Sequence, residues 1–511
     1  MARLKLFLLL QFVFFSALPV IAQVDTAWVR RYNGPGYGSD GPRALAMDNS
    51  GNVYVTGYSS GSGTATDYAT IKYAPNGDSL WVRLYNGPGN GDDRAFALVA
   101  DDSGNVYVTG FSSGSGTNTD YATIKYAPNG DTLWVRRYNG PGNGNDIAYA
   151  LALDDSGNVY VTGSSWGSGT FYDYATIKYA PNGDSLWVRR YNGVGNGYDD
   201  AEALAVDRSG NVYVTGGSGT IKYSANGDSL WLSEYGGIDI AMDDSSNVYV
   251  TGSIDSDTAV NIFNIDYATI KFAPNGDTLW VRRYNGPGIG SDYPSALEVD
   301  GSGNVYVTGY SSQYSVYPYN EDYATIKYAP NGDTVWVRRY NGPGNDYDKS
   351  KALAVDSSGN AYVTGSSLDS DFFLDYATIK YSTSGDTLWI RRYSGQGAGD
   401  EAYATAVDDS GNVYVTGASI IYGTGYDYAT IKYVQLACIA KSGDANSDEN
   451  ITLPDIVFLV NRVFKAGPAP TPLCRGDANA DSAVTLPDII YLVNRVFKGG
   501  PAPVKSLECC L

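Results

Sequence analysis

The sequence contains no histidine in its 511 residues. This absence excludes Ser-His-Asp and Cys-His catalysis, and it excludes zinc sites built on imidazole. Basic residues are also few, with 35 Lys and Arg against 55 Asp and Glu and a formal net charge of −20. Because a protein this acidic repels polyphosphate, the composition argues against a nucleic-acid partner.

Cysteine is scarce and confined to the last fifth of the chain, as Cys438, Cys474, Cys509 and Cys510. In an exported protein these residues are typical of two disulfides in a small C-terminal module. Four cysteines permit three pairings, and the sequence does not choose among them.

Long apolar runs are absent apart from one at the start of the chain. Arg3 and Lys5 precede an apolar run over 6–21, which ends in a small residue, Ala22, before Gln23. This pattern is typical of a secretion signal over 1–22. We therefore expect a bacterial protein that is secreted, extracellular or associated with the cell surface. No later run is long and apolar enough to suggest a membrane span.

What the sequence does contain is a repeat. Asn-Val-Tyr-Val-Thr-Gly appears eight times, once with Ala361 in place of Val, and Asp-Tyr-Ala-Thr-Ile-Lys-Tyr or a near variant appears seven times. A third element, Leu-Trp-Val-Arg-Arg-Tyr or a variant of it, recurs at intervals of 44 to 56 residues. Its tryptophans are Trp28, Trp81, Trp134, Trp187, Trp231, Trp280, Trp336 and Trp389.

Each repeat predicts four short strands. Four alternating segments rich in Val, Ile, Thr, Tyr and Trp are separated by Gly, Asn, Asp and Pro, which is typical of an antiparallel meander with strands a, b, c and d. Many such units predict an all-β propeller. The chain begins with a d strand and its last unit lacks one, so we expect the N-terminal strand to close an eight-bladed ring. Seven blades plus a degenerate unit is the alternative.

The repeated motifs resemble those of a known family. The run Ala-Val-Asp-x-Ser-Gly-Asn-Val-Tyr-Val-Thr-Gly and the Asp-Tyr-Ala-Thr-Ile-Lys-Tyr segment are similar to the SBBP family of bacterial β-propeller repeats, over roughly Asp25–Val434. We assign 23–434 to the propeller. That family is usually described as seven-bladed, so eight blades depart from it. Its members are mostly uncharacterised exported proteins, so the resemblance implies a fold more than a function.

One end of the predicted ring varies between units. The a–b and c–d turns are short and alike, whereas the b–c and d–a loops, which share the other end, differ in length and sequence. Aromatic residues in these loops are candidates for stacking on sugars or for a protein-binding surface. The alternative is that the rings only order their own loops. The candidates are Trp166, Tyr172, Phe263, Tyr314, Tyr317, Tyr319, Phe372 and Phe373.

Other charged residues recur too regularly to mark a single site. Aspartates of the d–a loops, such as Asp92, Asp93 and Asp146, recur in most units, which favours turn and solvating roles over a catalytic pair. Arg136 and Arg137 belong to a predicted outer strand, where charge deters edge-to-edge pairing. We therefore predict no catalytic residue.

After Val434 a different motif appears twice, 33 residues apart, and each copy leads into an apolar helical pattern. Oxygen ligands at positions 1, 3, 5, 7, 9 and 12 of a loop that enters a helix are typical of an EF-hand-like Ca²⁺ site. Asn450 and Ala483 would contribute backbone carbonyls. The predicted ligands are Asp444, Asn446, Asp448, Asn450, Thr452 and Asp455, then Asp477, Asn479, Asp481, Ala483, Thr485 and Asp488.

The tandem loops resemble a dockerin, type I and EF-hand-like, over about 443–500, within a C-terminal domain that we place at 438–511. The resemblance implies two calcium ions and a cohesin-like or other extracellular protein partner. Leu-Pro follows Thr452 and Thr485, where cellulosomal dockerins often carry hydroxyl residues. Glu449 and Ser482 replace the usual loop glycine.

Together these features predict a secreted, non-enzymatic propeller that serves as a scaffold or binding protein and is attached through a calcium-dependent module. The alternative is a polysaccharide-active component of an extracellular complex, either a glycoside hydrolase or a carbohydrate-binding protein. A unique carboxylate pair on the ring axis or on the variable face would favour the enzyme.

Overall fold

The computed structural model describes residues 23–36, 38–255, 265–288, 290–314, 320–397, 399–436, 445, 451–465 and 484–498. It divides into two compact units. Asp25–Val434 is the larger, and the smaller includes two helices, α1 Leu453–Lys465 and α2 Leu486–Lys498.

Eight four-stranded sheets make up the larger unit, so the predicted eight-bladed propeller is confirmed and the seven-bladed alternative is wrong. The a strands are β2 Gly41–Met47, β6 Asp93–Ala100, β10 Asp146–Leu153, β14 Ala201–Val206, β18 Asp239–Met242, β22 Asp292–Val299, β26 Asp348–Val355 and β30 Asp400–Val407. The b strands are β3 Val53–Ser60, β7 Val106–Ser113, β11 Val159–Trp166, β15 Val212–Gly216, β19 Val248–Asp255, β23 Val305–Ser312, β27 Ala361–Leu368 and β31 Val413–Ile421.

The c strands are β4 Thr66–Tyr73, β8 Thr119–Tyr126, β12 Tyr172–Tyr179, β16 Gly219–Tyr223, β20 Ile265–Phe272, β24 Glu321–Tyr328, β28 Leu374–Tyr381 and β32 Gly425–Leu436. The d strands are β5 Ser79–Tyr85, β9 Thr132–Tyr138, β13 Ser185–Tyr191, β17 Ser229–Ser233, β21 Thr278–Tyr284, β25 Thr334–Tyr340, β29 Thr387–Tyr393 and the N-terminal β1 Gln23–Tyr32. Blades are numbered from β2–β5, blade 1, to β30–β32 with β1, blade 8.

The core lies between the blades rather than at one centre. The middle strands b and c are buried along almost their whole length, so burial does not alternate along them as it does in a half-exposed strand. Between blades 1 and 2, for example, Tyr54 and Trp81 pack against Val106, Val108 and Ile124. Each blade therefore depends on its neighbours for the burial of its faces.

The first strand closes the ring as predicted. β1 pairs with β32 as the fourth strand of blade 8. Trp28 from β1 then packs with Tyr414 and Tyr428 of blade 8 against Val53 and Val55 of blade 1. The first and last blades are thus joined by the same kind of interface as blades 1 and 2.

Blade 4 is the short one, and glycine allows its loops to shrink. The Cα of Gly236 lies so close to the Gly216 carbonyl that an added Cβ would be 1.9 Å from that oxygen. Any larger residue at Gly236 would push the d–a loop of blade 5 away from blade 4. The loops at the variable end of the ring are therefore shorter at this position than in the other blades.

In the smaller unit the helices pack on each other through equivalent residues. Ile456 and Leu459 of α1 meet Ile489 and Leu492 of α2 in one buried cluster. The helices begin three residues earlier than the apolar pattern at Ile456 and Ile489. Among the described residues, no helix combines the length and apolar character that a bilayer crossing requires.

Candidate functional site

The end of the ring that carries the a–b and c–d turns is constant. In the a–b turn of blade 1, Asp48 accepts hydrogen bonds from the backbone N–H of Ser50 (3.0 Å) and of Asn52 (2.9 Å). Gly51 follows with φ +75°, a conformation that favours glycine. The same aspartate bonds recur through all eight blades, for example at Asp101 and Asp408.

In most blades the Trp and the first Arg of the d strand fasten one blade onto the next at this constant end. Blade 4 has Ser233 at the Arg position, and the Trp389 indole of blade 7 has no hydrogen-bond partner in the described part of the chain. The Trp134 indole donates to the Pro181 carbonyl (3.1 Å), and Arg136 Nε donates to the Gly183 carbonyl (2.6 Å), both in the following c–d turn. The guanidinium also lies over the Trp134 ring, 5.8 Å from its centroid. The structural interpretation of this motif holds, but the physical reason is blade-to-blade fastening rather than protection of a free edge.

At the opposite, variable end the repeated aspartates are structural. Asp93 is fully buried and accepts from Gly87 N (2.6 Å) in its own d–a loop and from Ser113 N (2.8 Å) in the b–c loop. Burial raises the pKa of its carboxyl, while hydrogen bonds from Ser112 and these amides oppose that rise. Neighbours such as Asp92 are exposed. The predicted turn role therefore applies to the buried aspartates equivalent to Asp93, and the predicted solvating role applies to the exposed aspartates.

The predicted aromatic candidates fall into three groups. Trp166 and Tyr172 are half-buried and contact each other, with ring centroids 5.2 Å apart, so both order their own loop. Phe372 is 72% exposed at φ +64°, Phe373 is 46% exposed and Tyr314 is 46% exposed, so these rings face solvent. Phe263, Tyr317 and Tyr319 lie outside the described residues.

An exposed aromatic pair that was not among the candidates lies beside Trp166. Phe171 of the b–c loop stacks on Tyr198 of the next d–a loop, with centroids 5.0 Å and planes 20° apart. Both rings are largely open to solvent, at 46% and 65% exposure. The sequence signal for Tyr198 was its place in a d–a loop where most other units have small or acidic residues.

A second set that sequence reasoning missed lies where the inner strands begin. Seven of the eight a strands contain a β-bulge, and the extra residue of each bulge is left out of the ladder. This residue differs in almost every blade. The bulge residues are Arg43, Phe96, Tyr149, Glu202, Ser295, Lys351 and Tyr403.

Neighbouring bulge residues contact one another around the ring. Phe96 meets Tyr149 with centroids 5.7 Å apart, and the Arg43 guanidinium lies 5.0 Å from the Tyr403 ring centroid. On blade 7, Lys349 forms an ion pair of 2.8 Å with Glu321. The inner end of the variable face therefore presents aromatic rings and charges of both signs in an arrangement that changes from blade to blade.

Two carboxylates on the inner strands are unique to their units. Asp239 and Glu298 occupy positions where most other blades carry alanine. Desolvation by the surrounding strands raises the pKa of half-buried Asp239 to about 6. Glu298 is more exposed, but desolvation together with the charge of Asp239 raises its pKa to about 7. Asp239 accepts from the Ile240 and Leu297 amides, at 2.9 and 2.7 Å.

Four of the twelve predicted calcium ligands lie within the described residues, namely Thr452, Asp455, Thr485 and Asp488. Each Asp is fully buried and accepts from the backbone N–H of the Thr three residues earlier, at 2.7 and 2.8 Å. This contact is the Asp half of a helix-capping box. The remaining ligands, Asp444, Asn446, Asp448, Asn450, Asp477, Asn479, Asp481 and Ala483, and the four cysteines, lie outside the described residues.

Three solved structures illustrate the likeness of the chain to known proteins, and each of them is distant in sequence. A protein of unknown function from Bacteroides caccae is 13% identical over 54% of this chain and 90% of its own, with a TM-score of 0.33. A calcium-binding protein, regucalcin, from Agrobacterium tumefaciens is 13% identical over 56% of this chain and 90% of its own, with a TM-score of 0.30. A putative gluconolactonase is 14% identical over 56% and 87%, with a TM-score of 0.29. No curated protein matches the chain.

Comparison with family models gives a specific match. Six segments match the family described as SBBP, beta-propeller repeat, at 27–63, 133–169, 186–219, 279–315, 335–373 and 388–423. Each segment runs from a d strand, across the d–a loop, into the a and b strands that follow. The protein is therefore a β-propeller, and six of its repeats match the SBBP beta-propeller repeat model.

Proposed function

We propose that this protein is a secreted, non-enzymatic binding propeller whose ligand is held on the variable face. One observation carries the proposal. The blades are alike in their buried b and c strands and in their constant turns, and they differ at the b–c and d–a loops and at the bulge residues. Repetition builds the ring, so departures from repetition mark the surface that is free to serve recognition.

The ligand class that fits this surface best is a polysaccharide. Phe171, Tyr198, Phe372 and Phe373 present exposed aromatic faces, which stack on sugar rings. Half-buried Tyr149 and Tyr403 add rings nearer the axis. A face of several separate platforms suits an extended chain of sugars better than a single small molecule.

A glycan-binding screen of the mature chain tests this proposal. Binding should weaken at least tenfold in a Phe372→Ala/Phe373→Ala variant or in Tyr403→Ala. Leu133→Ala is the matched control, because Leu133 is an exposed apolar side chain (53%) on an outer strand beside the constant turns. Equal binding by all variants, or no retained glycan at all, would remove the polysaccharide proposal.

The C-terminal unit is proposed to attach the propeller to a cohesin-like or other extracellular protein through a dockerin-like, calcium-dependent module. The two helices begin with the same Thr-Leu-Pro-Asp, and Asp455 and Asp488 are buried in equivalent positions. Oxygen ligands of this kind suit Ca²⁺, and the ions would fix the loops that enter the helices. Calorimetry of the full chain should lose Ca²⁺ binding in steps when Asp455→Asn and Asp488→Asn are introduced.

The alternative, a polysaccharide-active enzyme, is favoured by the Asp239 and Glu298 pair. The raised pKa of Glu298, about 7, resembles that of a glycosidase acid, and Asp239 is the neighbouring carboxylate whose charge contributes to that rise. Assays of reducing-end release on the glycans retained in the screen test this function. Turnover that is abolished by Glu298→Gln would establish the enzyme, whereas binding without turnover would leave the binding proposal.

A further inference from the structure

In several blades, the second arginine of the d strand is held by equivalent oxygen atoms. In blade 2, Arg137 donates to the Tyr85 hydroxyl (3.3 Å), the Ser112 hydroxyl (2.5 Å) and the Ser112 carbonyl (2.7 Å). It also forms an ion pair of 2.9 Å with Asp120. Blades 3, 6 and 7 repeat this arrangement around Arg190, Arg339 and Arg392.

Blade 1 carries the same oxygen atoms but no guanidinium. Leu84 stands at the position of Arg137, pairs with Ala69 as Arg137 pairs with Ala122, and is 42% exposed. Tyr32, Ser59 and Asp67 are the counterparts of Tyr85, Ser112 and Asp120. We call the Tyr32 hydroxyl, the Ser59 hydroxyl and carbonyl, and the Asp67 carboxylate the blade-1 cradle.

The backbone places these groups as in blade 2. Ser59 is the register partner of Asp67, just as Ser112 is the partner of Asp120. Tyr32 packs edge-on against Tyr428 at 5.5 Å, just as Tyr85 packs against Tyr68 at 5.6 Å. The cradle therefore keeps its shape although the cation that fills it elsewhere is replaced by leucine.

The charge of the cradle is uncompensated. Asp40 is fully buried beside it, Asp67 is 7% exposed, and neither forms an ion pair with any lysine or arginine in the described part of the chain. Ser59 is fully buried and its hydroxyl has no hydrogen-bond partner among the described residues, whereas the Ser112 hydroxyl accepts from Arg137 in blade 2. These groups thus face one another in a buried and negative environment.

One carboxylate oxygen in the cradle has no protein partner. Asp67 Oδ2 accepts from the Thr64 hydroxyl (3.1 Å), while its buried Oδ1 accepts no hydrogen bond. In blade 2 the corresponding Oδ1 is also unbonded, but the other oxygen of Asp120 is paired with Arg137. Two buried carboxylates with no cation are costly, and a bound cation relieves that cost.

We propose that the blade-1 cradle binds a metal cation, with Ca²⁺ as the ion whose ligand preferences it fits. Carboxylate, carbonyl and hydroxyl oxygens are hard ligands, and water completes the six to eight ligands that Ca²⁺ takes. The ion occupies the place that Arg137 fills in blade 2. It joins Tyr32 of the closing strand to blade 1, so it stabilises the seam of the ring.

Leu84→Arg provides the test, because it restores the guanidinium that the neighbouring blades use. After treatment with a chelator, the full chain should bind one Ca²⁺ more than the Leu84→Arg variant in calorimetry. Without Ca²⁺ the variant should melt at a higher temperature than the native chain. Asp67→Asn should also lose one ion, because it removes a carboxylate ligand.

Both proteins keep the C-terminal module, so the difference between them reports on the propeller alone. Introducing Asp455→Asn and Asp488→Asn into both removes the proposed C-terminal sites and should leave the difference of one ion unchanged. Arg137→Leu, which copies the blade-1 arrangement into blade 2, should add one Ca²⁺ per chain. Equal stoichiometry in the native and Leu84→Arg chains would overturn the proposal.

Discussion

Replacing Trp28 by alanine should open the ring at its seam. Trp28 is 7% exposed, its indole donates to the Pro75 carbonyl at 3.1 Å, and its ring contacts Tyr73 and Tyr414. Removing a buried tryptophan side chain costs about 3–5 kcal/mol. Loss of the hydrogen bond adds about 1 kcal/mol. The interface between blades 8 and 1 should therefore weaken by roughly 4–6 kcal/mol.

Trp134→Ala is the matched control, since Trp134 donates to Pro181 with the same geometry and is equally buried. The two variants should nevertheless fail differently. A c–d turn joins β9 to β8, but no such turn joins β1 to β32. Trp28→Ala should therefore release β1 locally, whereas Trp134→Ala lowers the stability of the whole propeller.

Hydrogen exchange followed by mass spectrometry distinguishes these outcomes. In Trp28→Ala, the amides of β1 and of the facing edge of β32 should exchange early while the strands of blade 3 remain protected. In Trp134→Ala, protection should fall together across the blades. Equal and uniform loss of protection in the two variants would refute the idea that the seam is a separate cooperative unit.

Three further predictions concern the buried charges and the variable face. Asp348 is fully buried and its pKa is raised to about 6, so the folded state binds the proton more tightly than the unfolded state. The free energy of unfolding of the native chain should therefore rise by up to about 3 kcal/mol as pH falls from 7 to 4. Asp348→Asn should remove that part of the pH dependence in urea unfolding, and identical profiles of the two chains would contradict the prediction. Arg137→Met should cost about 2–4 kcal/mol in the same assay because Asp120 loses its ion pair while remaining buried, and a change below 0.5 kcal/mol would show that the pair is dispensable. Phe372→Gly should raise the melting temperature slightly by relieving a φ of +64° while weakening glycan binding, and stronger binding would exclude Phe372 from the ligand surface.

Much of the propeller could be predicted because the pattern of four strands can be recognised separately in each repeat. The tryptophan spacing and the leading d strand were enough for eight blades and for closure by β1. The β-bulges escaped prediction because one extra residue reverses the alternation along a strand. In the sequence, Phe96 is therefore indistinguishable from the other residues of its strand, although it contacts Tyr149 of the next blade.

The roles of the charged residues depended on contacts between units. Two adjacent arginines look equivalent in sequence, yet Arg136 reaches forward to Gly183 and Arg137 reaches back to Tyr85. Leu84 was visible as a departure from the repeat, but its meaning required knowledge of the oxygens around Arg137. In the same way, the buried Asp93 could not be separated from the exposed Asp92 by composition alone.

The position of β1 also sets the order in which the propeller is completed. Arg31 of β1 meets the Tyr393 hydroxyl across 362 residues of sequence, whereas Arg137 meets Tyr85 across 52. Bringing the more distant pair together costs about 2 kcal/mol more chain entropy. Because β32 is also the last propeller strand to be synthesised, the blades should assemble in chain order, and β1 should remain unpaired until the final blade folds beside it.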